Sequence, residues 1–157
     1  MNKIKWGILG CGRIAGKFAS DLKLVEDAEL IAVASRNQEK ADEFCSQYPA
    51  KFSHNNYEAL ASNPEVDIIY VATPHGMHHE NTLLCLQHQK AVLCEKALAI
   101  NTNQVLDMIS LARKNKVFLM EALWTKFMPH YQMVMEMVKY GKLGEIKSVL
   151  AKDKFIL

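Results

Sequence analysis

The sequence predicts an α/β fold, a doubly wound parallel sheet with helices on both faces. Three observations predict it. Short apolar runs without polar alternation recur along the chain, as in strands buried on both sides. Segments of helical spacing separate these runs, and such alternation gives parallel pairing. A glycine cluster, Gly10-Cys11-Gly12, falls directly between the first run and the first helix, where such sheets carry a phosphate-binding turn.

Residues 4–9 are the first apolar run, closed by Gly10. Residues 14–25 follow as a helix, with Ile14, Phe18, Leu22 and Val25 spaced to face inward. Residues 30–34 form the second strand, and 38–48 a helix with Ala41, Phe44 and Cys45 on one face. A short strand at 51–54 and a short helix at 57–61 come next. Residues 67–72 are a nearly continuous apolar strand, stopped by Thr73 and Pro74. Residues 78–88 read as a helix with Leu83, Leu84 and Leu86 apolar, and 91–94 as another buried strand. Residues 102–114 are a helix with Val105, Met108, Ile109 and Ala112 inward, capped by Asn101 or Thr102. A sixth strand spans 117–120, and a last helix spans 129–140, opened by Pro129 and closed by Gly141.

The tail departs from this scheme. Residues 144–157 restart as a strand and stop at Phe155-Ile156-Leu157 without a polar ending. An apolar strand end presents an unpaired edge, so the expectation is a second domain cut short at its start. The alternative is that this strand completes the same sheet.

With 157 residues, the chain is long enough for one domain with a core. Half the residues are hydrophobic and 23% charged, which excludes a disordered chain. Lys plus Arg number 19 and Asp plus Glu 17, and the basic residues are scattered, so nothing points to nucleic acid. The four cysteines, Cys11, Cys45, Cys85 and Cys94, fit no CxxC spacing. The last three sit in apolar surroundings as small buried hydrophobes. No charged n-region precedes a long apolar run and no segment is long enough to cross a bilayer. A reduced, cytoplasmic protein without a membrane partner is expected.

The glycine cluster extends to Gly10-Cys11-Gly12-Arg13-Ile14-Ala15, a GxGxxA loop. Gly10 permits the tight turn, Gly12 lets a pyrophosphate approach the backbone, and Ala15 keeps the helix near the sheet. The free N–H groups and positive dipole of the helix start then face the phosphates. This predicts a Rossmann-type dinucleotide-binding domain over residues 1–122, with 123–157 as junction helix and first strand of a second domain that is cut short.

Where NAD-binding proteins carry an acidic residue for the ribose diol, this chain has Ala34-Ser35-Arg36-Asn37. Ser35 can donate a hydrogen bond and Arg36 a charge-assisted one. The preferred cofactor is therefore NADP(H), with NAD(H) as the alternative. Ligands of open parallel sheets bind beyond the carboxyl ends of the strands. Besides the loop, those ends carry Ser35 and Arg36, then Thr73, Pro74 and His75 running into His78, then Glu95 and Lys96, then Glu121 and Trp124. The expected cofactor contacts are Gly10, Cys11, Gly12, Arg13, Ile14, Ser35, Arg36, Thr73, Pro74, His75, His78, Glu95 and Lys96. A zinc site at His75, His78 and His79 would want a carboxylate or thiolate, and only Glu80 is near; no metal is expected. Lys96 is the candidate catalytic residue. A lysine ending a buried strand is desolvated at a cost unless paired or used, which suits it to donating a proton or stabilising an alkoxide.

Four motifs, Gly10-Cys11-Gly12-Arg13-Ile14-Ala15, Ala34-Ser35-Arg36, Ala72-Thr73-Pro74-His75 and Cys94-Glu95-Lys96, stand in an order that resembles the glucose–fructose oxidoreductase/inositol dehydrogenase (Gfo/Idh/MocA) family. Glu121-Ala122-Leu123-Trp124-Thr125-Lys126-Phe127-Met128-Pro129 and Gly141-Lys142-Leu143-Gly144-Glu145-Ile146 resemble its dihydrodiol dehydrogenase-like branch. The resemblance implies a two-domain enzyme of roughly twice this length, in which 123–157 begin a truncated substrate domain, an α+β domain with an open β-sheet, after the Rossmann domain. It implies hydride transfer between the nicotinamide and a hydroxyl-bearing carbon of a sugar, polyol or similar diol. It places Lys96 near the nicotinamide ribose and the reacting oxygen, and Trp124 in the substrate-pocket wall. A second acid/base residue, and the contacts of a homo-oligomer, would come from the second domain. One departure stands out: the family's Glu-Lys-Pro is Glu95-Lys96-Ala97 here, which frees φ and restores an N–H, so that Lys96 is expected to be held less firmly. A dinucleotide-binding or sensing module without catalysis is the alternative function. An enzyme acting on a sugar-nucleotide in the same loop is a third.

Overall fold

The computed structural model describes residues 3–150. The chain divides into two compact units, Met1–Ala122 and Leu123–Leu157. The first unit runs β1 (Ile4–Leu9), α1 (Arg13–Leu22), β2 (Ala28–Ala34), α2 (Gln38–Gln47), β3 (Phe52–His54), α3 (Tyr57–Ala61), β4 (Ile68–Val71), α4 (His78–Gln87), β5 (Ala91–Cys94), α5 (Thr102–Asn115) and β6 (Leu119–Glu121). A 3-10 turn, His75–Met77, precedes α4. The strands form one sheet in the order β3-β2-β1-β4-β5-β6, every pair parallel. The predicted doubly wound fold is what forms, and its order reverses between β1 and β4, where such sheets open a ligand crevice.

Alternate strand residues point to opposite faces. Ile8, Val33 and Tyr70 pack against Ala15, Ala19 and Phe44 of α1 and α2. Leu9, Ile69, Val71 and Val92 pack against Leu60, Leu86 and Met108 of α3, α4 and α5. With both faces covered, the strands need no polar side, which is why their sequence shows no alternation. Asn37, Asn56 and Asn101 cap α2, α3 and α5 by accepting from Lys40 N, Ala59 N and Gln104 N.

The inward face of α1 differs in part from the predicted one. Leu22 is buried and Phe18 packs against the core as predicted, but Ile14 and Val25 are 45% and 52% exposed, and Ala15, Gly16 and Ala19 are buried in addition. A helix that rises straight out of the phosphate turn lies close to the sheet, so small residues take the contact in its first turns and Ile14 is turned outward. In α4, likewise, Leu83 and Leu84 are only partly buried, and His78, Asn81 and Thr82 are buried instead.

In the second unit, a 3-10 turn (Trp124–Phe127) leads to α6 (Pro129–Lys139). The predicted Pro129 start and Gly141 stop both hold: Gly141 has φ +65°, and Lys142 N donates to Met137 O at 2.9 Å. No residue of α6 is buried. The strand predicted from 144 onward does not form over 145–150, which belong to no strand; an extended segment without a neighbour has no ladder to join. The remainder of that prediction, 151–157, lies outside the described residues.

Candidate cofactor and active site

Register brings the predicted residues of the first unit to one line. Leu9 pairs with Ala34 and Val71, Val71 with Cys94, Cys94 with Glu121, and Ala34 with His54. The strands therefore end level. Each following residue adds a rung: Gly10 N donates to Ala34 O (2.9 Å), Ser35 N to His54 O (3.1 Å), Ala72 N to Leu9 O (2.9 Å), Glu95 N to Val71 O (3.0 Å) and Ala122 N to Cys94 O (2.7 Å). From β2 to β5 this row spans about 14 Å at ordinary strand spacing.

The glycine loop leaves the middle of the row. Gly10 has φ +100°, and a Cβ there would lie 3.0 Å from Ala72 O. Gly12 is the N-cap of α1 and a Cβ there would meet nothing within 4 Å. The first turn of α1 carries no acidic residue and no side-chain cap, so its N–H groups are available to an anion. A groove of about 450 Å³ beside the loop is lined by Gly12, Arg13, Lys40 and Tyr48 among others. These features fit the pyrophosphate of a dinucleotide. Cys11, between the glycines, donates its thiol to Ala34 O at 3.5 Å; burial, with Cys45 adding to it, pushes this thiol up to about 11. It is a structural thiol rather than a reactive one. Arg13 and Ile14 are exposed.

At the end of β2, Ser35 is buried and its Oγ accepts from Asn37 N at 3.3 Å, which leaves its proton to donate. Arg36 is exposed. Tyr57, legible in the sequence only as a helix start, lies beside it: burial pushes the Tyr57 phenol up, and the Arg36 guanidinium opposes that. Lys40 was equally silent in the sequence. Lys40 gains its place from the start of α2, where Asn37 accepts from its N–H and where it lines the groove with Gly12 and Arg13, and Tyr57 gains its place as the first residue of α3, which Asn56 caps.

After β4, Thr73 is buried and its Oγ1 accepts from Asn81 Nδ2 at 3.1 Å. Pro74 and His75 are exposed. His78 is fully buried, with Nε2 2.8 Å from Thr73 O and Nδ1 2.8 Å from Ala97 O. His79 faces Asp107 at 3.4 Å. Among the described residues no three His, Cys, Asp or Glu side chains gather as metal ligands.

After β5 the burial falls on Glu95, not Lys96. Glu95 accepts from Tyr70 Oη at 2.5 Å and from Lys96 N at 3.1 Å. Burial first, then Glu95, push the Tyr70 phenol far above its ordinary value, so it remains a donor. Lys96 is exposed; the burial predicted for it goes to Glu95, whose carboxylate Tyr70 satisfies. The Lys96–Ala97 peptide is cis. The looser hold expected without proline is not seen: Leu98 N donates to Glu121 Oε1 at 2.8 Å, and His75 and His78 reach the carbonyls of Lys96 and Ala97. In the second unit, Trp124 is 58% exposed.

Residues 4–123 match the oxidoreductase family described as an NAD-binding Rossmann fold. The chain belongs to the Gfo/Idh/MocA oxidoreductase family. Its first unit is that family's dinucleotide-binding domain. Among relatives of this Gfo/Idh/MocA chain, the trans-1,2-dihydrobenzene-1,2-diol dehydrogenase of Xenopus laevis is 41% identical over 94% of the chain and 46% of its own length. The enzyme of that name from Mus musculus is 37% identical over 98% of the chain and 47% of its own length. Among solved structures, KijD10, a 3-ketoreductase from Actinomadura kijaniata in complex with NADP, is 31% identical, with a TM-score of 0.86 over 93% of this chain and 47% of its own. The chain thus spans about half the length of the relatives it matches. No helix among the described residues is long and apolar enough to cross a membrane.

Proposed function

We propose that this chain holds NADP(H) for an oxidoreductase that moves hydride to or from a hydroxyl-bearing carbon of a sugar, polyol or dihydrodiol. The observation that carries this reading is the level row of strand ends, which sets Gly10–Gly12, Ser35–Arg36 and Lys96 along one edge. When bound, the nicotinamide supplies the carbon that gives or takes the hydride. The backbone of Gly10, Cys11, Gly12, Arg13 and Ile14 receives the pyrophosphate. Arg36, with Ser35, takes the 2′-phosphate, with Tyr57 beside Arg36 and Lys40 on the groove by the loop. Thr73 and Pro74 border the crevice. Lys96 hands a proton to the substrate oxygen, or holds the alkoxide, at its exposed Nζ. The second unit is the start of the substrate domain, with Trp124 as a wall of the pocket. That domain supplies the second acid/base group, and any homo-oligomer forms through it. The dihydrodiol class is supported by the Xenopus and mouse relatives, and NADP(H) by the NADP complex of the ketoreductase.

Fluorescence titration with NADPH and NADH tests the cofactor assignment. A charge-assisted hydrogen bond contributes about 1.5–3 kcal/mol, so Arg36→Ala should weaken NADPH roughly 10- to 100-fold and leave NADH nearly unchanged. Equal affinities for both, indifferent to Arg36→Ala, would overturn it. In the whole enzyme, Lys96→Ala should lower turnover of trans-1,2-dihydrobenzene-1,2-diol and spare NADPH binding; normal turnover would remove Lys96 from the chemistry.

A further inference from the structure

Three consecutive residues after β5, Lys96, Ala97 and Leu98, belong to no helix or strand, yet their peptide groups are held from several elements. Lys96 N donates to Glu95 Oε2, and Leu98 N to Glu121 Oε1. The two carbonyls facing the other way meet histidines. His75 Nε2 lies 2.8 Å from Lys96 O, and His78 Nδ1 lies 2.8 Å from Ala97 O. The second ring nitrogen of His78 lies 2.8 Å from Thr73 O, so one rigid ring is wedged between the end of β4 and the loop after β5, donating to one of the two carbonyls when neutral and to both when protonated. The two imidazoles meet edge to face, with centroids 5.3 Å apart. His78 is fully buried and both its nitrogens face backbone oxygens, so no polar atom of it is left for a ligand.

We infer that His75 and His78 are positioning residues, a two-histidine brace that fixes the backbone of Lys96 against the end of β4, and not contacts of the cofactor. The inference rests on Lys96 being the catalytic group. The exposed ammonium stands at the end of a flexible stem, and its reach is set by where the Lys96 backbone is anchored. A displacement of about 1 Å at a reacting group can cost 100-fold in rate. The brace supplies from side chains the fixation that a proline at 97 would have supplied from the chain itself.

Amide hydrogen exchange and NADPH titration test the brace without turnover. His75→Ala changes an exposed ring and should keep the fold; His78→Asn is the second variant. In each, exchange at the amides of Lys96 and Leu98 should speed up tenfold or more while the NADPH Kd stays within twofold. His75→Gln, which keeps a donor near the Nε2 position, should restore most of the protection. Unchanged exchange in His75→Ala would overturn the brace, and so would a tenfold loss of NADPH affinity with exchange unaltered. In the whole enzyme, with NADP and trans-1,2-dihydrobenzene-1,2-diol, His75→Ala should lower kcat with the KM for NADP unchanged. It should add nothing in a Lys96→Ala background. Normal kcat in Lys96→Ala alone would refute the catalytic reading of Lys96, whereas an additive loss in the double variant would refute the brace. Absence of turnover in the unmodified enzyme would refute the dihydrodiol as substrate, with the exchange and binding arms still deciding the brace.

Discussion

At Gly10 the backbone stands at φ +100°, and a Cβ would press on the Ala72 carbonyl at 3.0 Å. Two residues on, Gly12 has φ −96° and open space where its Cβ would be. The first glycine is required by the fold and the second by whatever approaches the loop. Gly10→Ala should therefore destabilise the domain by about 1–3 kcal/mol, read as a lower urea midpoint. Gly12→Ala should leave the midpoint nearly where it was and weaken NADPH about tenfold or more, a loss of roughly 1.4 kcal/mol. A Gly12→Ala protein that unfolds early, or binds NADPH normally, would contradict that division. The sequence assigns Gly10 to the tight turn and Gly12 to the close approach of a pyrophosphate, and the backbone at Gly10 has the positive φ that such a turn needs. The sequence also points to Lys96 as a buried amine, whereas the burial falls on its neighbour Glu95, which Tyr70 satisfies from the adjacent strand. Pairing across strands is a property of register, and nothing local in the sequence around Tyr70 announces it.

Among the elements, strands and helices of the first unit were legible because a doubly covered parallel sheet writes a simple pattern, apolar runs between amphipathic segments. Face was harder to read than existence. In α1 the contact with the sheet is made by Ala15, Gly16 and Ala19, and small residues carry little weight in a periodicity argument although they permit the closest approach. In α4 the buried face includes His78, Asn81 and Thr82, polar groups that periodicity assigns to solvent. The helix starts are better defined by chemistry. The sequence left Asn101 and Thr102 as competing caps of α5, and Asn101 takes the role, its side chain accepting from Gln104 N at 3.0 Å. Asn101→Ala should cost about 1 kcal/mol in urea denaturation, and Thr102→Ala, one residue inside the helix, should cost much less. Equal effects would mean that the cap contributes nothing particular to α5.

At the scale of the whole domain, burial of weak acids on both faces of the sheet sets an alkaline limit to stability. Burial pushes the thiols of Cys11 and Cys94 from 9.0 up to about 11, raises Cys85 further, and raises Cys45, Tyr57 and Tyr70 as well. In the unfolded chain these groups ionise at ordinary values, near 8.5 for cysteine and 10 for tyrosine. Below about pH 7 both states hold these protons and the groups add no pH dependence. As pH rises past about 8, the unfolded chain releases protons that the folded chain retains, and stability falls until the folded groups ionise too. Lys90 acts oppositely, since burial lowers its ammonium from 10.5 and the unfolded chain then holds the extra proton. One such group does not offset six. In the presence of a reductant the urea midpoint should therefore change little up to about pH 7.5 and fall steadily from about pH 8 to 11. Each retained proton contributes a slope of about 1.4 kcal/mol per pH unit at most. Cys11→Ala removes one of these groups at a partly exposed position, so it should make the fall shallower without changing the plateau near neutrality. A midpoint that stays level to pH 11, or a slope indifferent to Cys11, would show that the buried thiols do not govern the alkaline limit.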